Sequence, residues 1–194
     1  MSNTPHAGLA PSDWVQRWTH LVTPQGTVLD VACGTGRHVR WFAQRGCQVT
    51  GVDRNAQALE PLRSIAQVQV CVADIEAGPW PFADRKFDAV IVTNYLRREL
   101  FPAIVGSVAV GGVLIYETFA DGNQSVGKPS NPAFLLRRGE LLGATTELRP
   151  VAFEDGFVAA PDRFVQRLVA VREPMPGAPP RRYSLQLQAS GADR

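Results

Sequence analysis

Short apolar runs alternate with segments of helical period across the first two thirds of the chain. The runs "GTVLDVACG" (26–34), "CQVTGVD" (47–53), "VQVCVAD" (68–74), "FDAVIVTNY" (87–95) and "GGVLIYETF" (111–119) read as strands, the last entered through a Gly-Gly turn. Between them, "GRHVRWFAQRG" (36–46), "NAQALEPLRSIAQ" (55–67) and part of "RRELFPAIVGSVAV" (97–110) read as helices. A further helix opens the series in "PSDWVQRWTHLV", where Ser12 is a plausible N-cap and Trp14, Val15, Trp18 and Leu21 share a face. Several strands are apolar on both faces, which a sheet covered by helices on both sides requires. The pattern predicts an α/β doubly wound, mostly parallel sheet.

The pattern then changes. "ADGNQSVGKPSNPAF" (120–134) has no period and is rich in Gly, Asn, Ser and Pro, so it reads as a long loop of the kind that forms lids. "LLRRGELLG" reads as a short helix. "ELRPVAFEDGFVAA" and "RFVQRLVAVRE" read as two strands joined near Pro161 and Asp162, and so close a connection makes them antiparallel. The organisation expected is one domain over 1–172, with a loose leader over 1–10 and a lid-like loop over 119–136. A Pro-rich, flexible tail follows over 173–194, in which "YSLQLQ" alternates and is the one candidate for an added edge strand.

Composition narrows the function classes. The 194 residues are 45% hydrophobic and 20% charged, with net charge +2, as in an ordinary globular protein. Basic residues are spread rather than blocked, so the chain lacks a nucleic-acid footprint. It has no apolar run of membrane-spanning length and no signal-peptide core, which predicts a cytoplasmic protein without a membrane partner. Cys33, Cys47 and Cys71 are too few and scattered for a disulfide scaffold or a zinc site, and no metal is expected. They read as small buried hydrophobes; a nucleophilic Cys33 in its glycine turn is the alternative.

The chemistry centres on "VLDVACGTGRHVR" (28–40). Gly34 and Gly36 permit a tight strand-to-helix turn whose backbone approaches a ligand closely. Asp30, Asp53 and Asp74 each end a strand, and ligands of open parallel sheets sit at those ends. Asp53 stands where a carboxylate would accept hydrogen bonds from a ribose diol. The dinucleotide pattern fails, because Val39 stands where its third glycine belongs, and no phosphate-loop lysine follows. Three carboxylates suit a nucleoside with a cationic centre better than a pyrophosphate.

With these stretches in view, the sequence resembles the class I S-adenosylmethionine-dependent methyltransferases over residues 26–119. "VLDVACGTGRH" is similar to their glycine-rich motif, "GVDRN" to the ribose-binding segment and "VADIEAGPWPF" to the segment contacting adenine. "FDAVIVTNYLRR" resembles the motif that faces the methyl group. Within the family the chain looks most like small bacterial enzymes of the tellurite-resistance and thiopurine methyltransferase type. The resemblance implies a Rossmann-like, mostly parallel seven-stranded sheet with an antiparallel C-terminal strand pair, and S-adenosyl-L-methionine as cofactor.

It also implies site residues. Asp30, Ala32, Gly34, Gly36, Asp53, Arg54, Ala73, Asp74, Ile75, Asn94 and Leu96 would contact the cofactor, and Arg17 on the first helix would pair with its carboxylate. Asn94, Tyr95, Arg97 and Glu117 are the candidates beside the transferred methyl group. Arg97 and Arg98 would hold an anionic acceptor if they face the site, and the lid with Lys128 would select the acceptor. His38 reads as a satisfied polar side chain. "TNYLRR" departs from the motif of enzymes that methylate bases, so DNA is not an expected partner. The expected function is methyl transfer to a small molecule, by a monomer or homodimer. An RNA or protein acceptor, a nucleoside-binding protein without transfer, and a nucleotide-dependent oxidoreductase are the competing readings.

Overall fold

The computed structural model describes residues 10–174 and 181–185. Seven strands form one sheet in the order β3-β2-β1-β4-β5-β7-β6. They are β1 (Thr27–Val31), β2 (Gln48–Asp53), β3 (Val68–Val72), β4 (Phe87–Thr93), β5 (Val108–Phe119), β6 (Arg149–Val158) and β7 (Arg163–Val171). The first five pair in parallel; β7 is antiparallel to both β5 and β6. The doubly wound reading and the antiparallel C-terminal pair are both borne out.

Two apolar layers explain the strands that are hydrophobic on both faces. Along β1 and β4, Val28, Ala89 and Ile91 point into the layer under α1 (Asp13–Trp18) and α2 (Arg37–Ala43). Leu29, Val31, Val90 and Val92 point into the other layer, with Phe101, Ile104 and Val105 of α4 (Phe101–Gly106). Successive strand residues face opposite sides, so each run feeds both layers. Ser12 caps α1 as expected, accepting from the Trp14 N–H.

The helices are shorter than their patterns predict. The 55–67 segment forms only α3 (Ala56–Leu59), capped by Asn55, followed by a 3-10 turn over Glu60–Leu62. Pro61 lacks the N–H that would continue the helix. After α4 the residues "SVAV" leave the helix and begin β5, so the strand starts ahead of the two glycines. Those glycines form an irregularity inside β5: the register with β4 shifts between Phe87/Val108 and Ala89/Val113. Gly111 has φ +82, and a Cβ on Gly112 would lie 2.9 Å from the Phe87 carbonyl oxygen. The expected Gly-Gly turn is thus a bulge.

The 119–136 loop is held in place. It contains 3-10 turns at Asn123–Ser125 and Pro132–Phe134, and Ala120 bridges to Leu136. Buried Asn123 donates to the Pro129 carbonyl and accepts from the Phe164 N–H. The short helix α5 (Glu140–Ala144) follows. Residues 181–185 form no strand; half-buried Tyr183 packs on the α1 side of the sheet, and Arg149 stacks over its ring. The remainder of the candidate edge strand and the leader up to residue 9 lie outside the described residues. Among the described residues no helix is long and apolar enough to cross a membrane.

Candidate active site

The C-terminal ends of β1, β2 and β4 meet around the glycine turn. Asp53 ends β2, and its Oδ2 accepts from the Gly34 N–H at 2.8 Å while Oδ1 accepts from the Asn55 N–H at 2.9 Å. The loop after β1 and the loop after β2 are therefore tied through one carboxylate. Gly36 has φ +78, and a Cβ there would lie 2.5 Å from Leu62 Cδ1. Gly34 also has positive φ, +55, but a Cβ there would meet nothing within 4 Å. Gly36 is thus demanded by packing, and Gly34 faces open space.

Two residues other than glycine hold left-handed backbone at this edge: Ala32 (φ 52) after β1 and Asn94 (φ 54) after β4. Asn tolerates this region better than Ala, and such strain gathers at functional sites. The Asn94 N–H donates to the Glu117 carbonyl, and the Tyr116 hydroxyl donates to the Tyr95 carbonyl. The neighbouring strand β5 so holds the turn after β4.

Three cavities run along this edge and share walls. The first lies over the glycine turn, between Ala32, Gly34, Arg37, His38, Thr93 and Asn94. The second lies between the ends of β2 and β3, lined by Ala32, Asp53 and Arg54 on one side and by Ala73, Asp74, Ile75, Glu76 and Tyr95 on the other. The third lies under the 119–136 loop, with Leu96, Phe119, Pro129 and Phe134 as its apolar wall and Glu76, Asn94, Tyr95 and Thr118 as the rest. Ala32 belongs to the first and second, Asn94 to the first and third, and Glu76 and Tyr95 to the second and third.

Burial sets the charges. Asp30 is 1% exposed; the Val39 N–H donates to its carboxyl group, but its Oδ2 has no partner. Desolvation pushes its pKa up to about 7, against the pull of the Arg37 guanidinium. His38 is buried and stays neutral, its pKa lowered to about 3 by burial and then by Arg37. Its Nε2 accepts from the Ser12 N–H at 3.1 Å, as suits a satisfied polar side chain rather than a base. Burial drives the Cys33 thiol pKa up, with Asp30 and Asp53 adding to it, so Cys33 is not an activated nucleophile.

The structure gathers Asp53, Arg54, Ala73, Asp74 and Ile75 around the second cavity, and Gly34 and Asn94 around the first. Leu96 lines the third instead. Asp74 accepts from the Glu76 and Ala77 N–H groups with Oδ1.

Four expected site residues are engaged elsewhere. Arg17 pairs with Glu154 at 3.2 Å on the outer strand β6 and lies over the Trp14 and Trp18 rings. Glu117 is fully buried, holding Arg167 Nε at 2.5 Å and the Ser12 hydroxyl at 2.8 Å. Arg97 pairs with Glu99 at 2.9 Å and lines none of the three cavities, though it lies 3.9 Å from Glu76 at their rim. Arg98 lines none of these three cavities but a separate one beside Arg137 and Arg138; it binds Glu140 and the carbonyls of Ala133 and Leu135, tying the loop down.

Arg37, Thr93 and Glu76 also line these cavities, although no motif points to them. Each sits one or two residues from a motif residue that was singled out: after Gly36, before Asn94 and after Asp74. Among the described residues Arg37 makes long contacts, 3.5 Å each, to the Ala10 carbonyl and Thr93 Oγ1. Arg163 lies near it with a buried, unpartnered Nε.

Residues 28–109 match the family model of a methyltransferase domain. A putative methyltransferase of Bacillus subtilis, YqeM, is 30% identical over an alignment of length 128 that covers 56% of this chain and 49% of that protein. The chain spans about half the length of this relative, or less in the case of others. TehB from Haemophilus influenzae superposes with TM-score 0.67 at 19% identity, covering 87% of this chain and 64% of that one. A TehB-like SAM-dependent methyltransferase from Corynebacterium glutamicum gives TM-score 0.64 at 15% identity, covering 86% and 91%. The fold and the matched domain bear out the resemblance read from the motifs.

Proposed function

We propose that this chain, which carries a methyltransferase domain on the class I S-adenosylmethionine-dependent fold, binds that cofactor along the cavity edge and methylates a small molecule. One observation carries the reading: three cavities with different linings adjoin in pairs, at Ala32, at Asn94, and at Glu76 with Tyr95. A nucleoside, an amino-acid moiety and an acceptor each need one of them.

The residues fit the cofactor. Asp53 and Arg54 would hold the ribose, with Asp74 and Ile75 at the adenine. The open space at Gly34 suits the amino-acid end, while Asp30 lies buried behind the glycine turn and lines none of the three cavities. Arg37 replaces Arg17 as the group that would pair with the cofactor carboxylate, since Arg17 is occupied by Glu154 while Arg37 lines the first cavity and, among the described residues, makes hydrogen bonds no shorter than 3.5 Å. When bound, the cofactor supplies a methyl group on a sulfonium.

The protein's part is positioning. Holding nucleophile and methyl carbon in line can supply about 7–11 kcal/mol of the barrier. Asn94, its left-handed backbone clamped by Glu117, stands between the first and third cavities. The buried Glu117, Arg167 and Ser12 set fixes the start of α1 beside the first cavity. Glu117 therefore positions rather than reacts.

Calorimetry with S-adenosylhomocysteine and with NAD tests the reading. Binding of the first alone is expected; binding of NAD alone would remove it. A labelled-methyl screen over metabolites, RNA and protein extract then tests the acceptor class, with label expected in the small-molecule fraction.

A further inference from the structure

The third cavity has a lining that speaks to the acceptor. Its wall of Leu96, Phe119, Pro129 and Phe134 is apolar and half aromatic, and its volume is about 310 Å³, at the small end for ligand sites. None of its lining residues is a Lys, Arg or His, and its one carboxylate is Glu76. Glu76 also lines the second cavity, so this charge stands where the two meet.

That carboxylate is only loosely engaged. Its side chain is 40% exposed, and Arg97 lies 3.9 Å away while sitting closer to Glu99. Such a pair is worth little. The buried Tyr95 hydroxyl lies beside it and interacts with the Glu76 carboxylate, and among the described residues it completes no well-formed hydrogen bond. Of the two cations that could serve an anionic acceptor here, Arg97 is held between Glu99 and Glu76, and Arg98 is bound to Glu140 and two loop carbonyls.

We propose that the acceptor is an amine on an apolar body about one ring in size, its nitrogen held by the Glu76 carboxylate and the Tyr95 hydroxyl; this rests on the methyltransferase reading above. The apolar wall takes the body, where a ring packs on Phe119 and Phe134. The carboxylate attracts an ammonium and repels a carboxylate, so it discriminates by charge.

An ammonium has no lone pair to attack with. Its proton passes from nitrogen to a Glu76 oxygen and on to water. The freed pair forms the nitrogen–carbon bond as the carbon–sulfur pair withdraws to sulfur. The positive charge moves from sulfur to the methylated nitrogen, and net charge is conserved.

The test titrates the protein first with S-adenosylhomocysteine, then the saturated complex with 2-phenylethylamine, 2-phenylethanol and 3-phenylpropionate. The amine is expected to bind about tenfold tighter than the alcohol, and the carboxylate more weakly than both. Glu76→Gln should bring the amine to the alcohol's affinity, and Glu76→Lys should put the carboxylate first. Each comparison is a ratio within one variant, so a change in cofactor affinity cancels. Glu76 is exposed enough for both variants to fold. An amine that fails to bind, binds no better than the alcohol, or keeps its advantage in Glu76→Gln overturns the proposal and leaves the cofactor reading standing. If S-adenosylhomocysteine itself does not bind the unaltered protein, it is the underlying reading that falls.

Discussion

The carboxylate of Asp53 accepts a hydrogen bond from the backbone N–H of Gly34, 19 residues earlier in the chain, at 2.8 Å. One acid thereby both faces the second cavity and anchors the glycine turn that floors the first. The two cavities are coupled through it.

Asp53→Ala should therefore weaken S-adenosylhomocysteine binding by about tenfold to a hundredfold. That is the loss of one or two charge-assisted hydrogen bonds, roughly 1.5–3 kcal/mol. Calorimetry checks it, and an unchanged affinity would take Asp53 out of the site.

Gly36→Ala and Gly34→Ala should separate stability from binding. Both place a Cβ on left-handed backbone, at a cost of about 1–2 kcal/mol. Gly36→Ala also drives that carbon into Leu62, adding about 1–3 kcal/mol. Gly34→Ala meets nothing and should instead lower ligand affinity. Urea denaturation beside calorimetry reads both effects, and equal stability losses would dismiss the contact with Leu62.

Asp30 and His38 should pull stability in opposite directions with pH. Folded Asp30 keeps its proton up to about 7 against an ordinary 3.8, so the folded chain binds the extra proton and loses stability as pH rises between those values. His38 remains neutral down to about 3 against 6.5, so stability is lost as pH falls through that window. The two slopes oppose each other from about pH 4 to 6.5. Asp30→Asn should leave the His38 slope alone, giving a variant that gains stability with pH more steeply than the parent. Parallel curves from urea melts across this range would mean that Asp30 is ionised throughout.

Arg37→Ala should reduce S-adenosylhomocysteine affinity by about tenfold or more, the loss of a charge-assisted contact to a carboxylate. Arg17→Ala should change it by less than about twofold, because an exposed pair such as Arg17–Glu154 contributes little. The reverse ranking would restore Arg17 to the site.

The elements were legible because their causes are local. The period of apolar residues along 28–31 and 87–93 marks strands that feed two layers, and it predicts the doubly wound sheet. The glycine pair announces a turn because only there is left-handed backbone cheap, and the acids at 30, 53 and 74 mark the strand ends. Even the shortened helix after β2 has a local cause in Pro61. Which cations and acids are free was decided only in three dimensions. Ser12 and Glu117 are 105 residues apart and Arg98 and Glu140 are 42 apart, yet each pair is hydrogen-bonded. A charged side chain takes whichever opposite charge folding brings within reach, and no spacing in the chain encodes that choice. So Arg17 is drawn to Glu154, Arg98 to the loop and Glu117 to the interior, while Arg37 and Glu76 are left at the cavities.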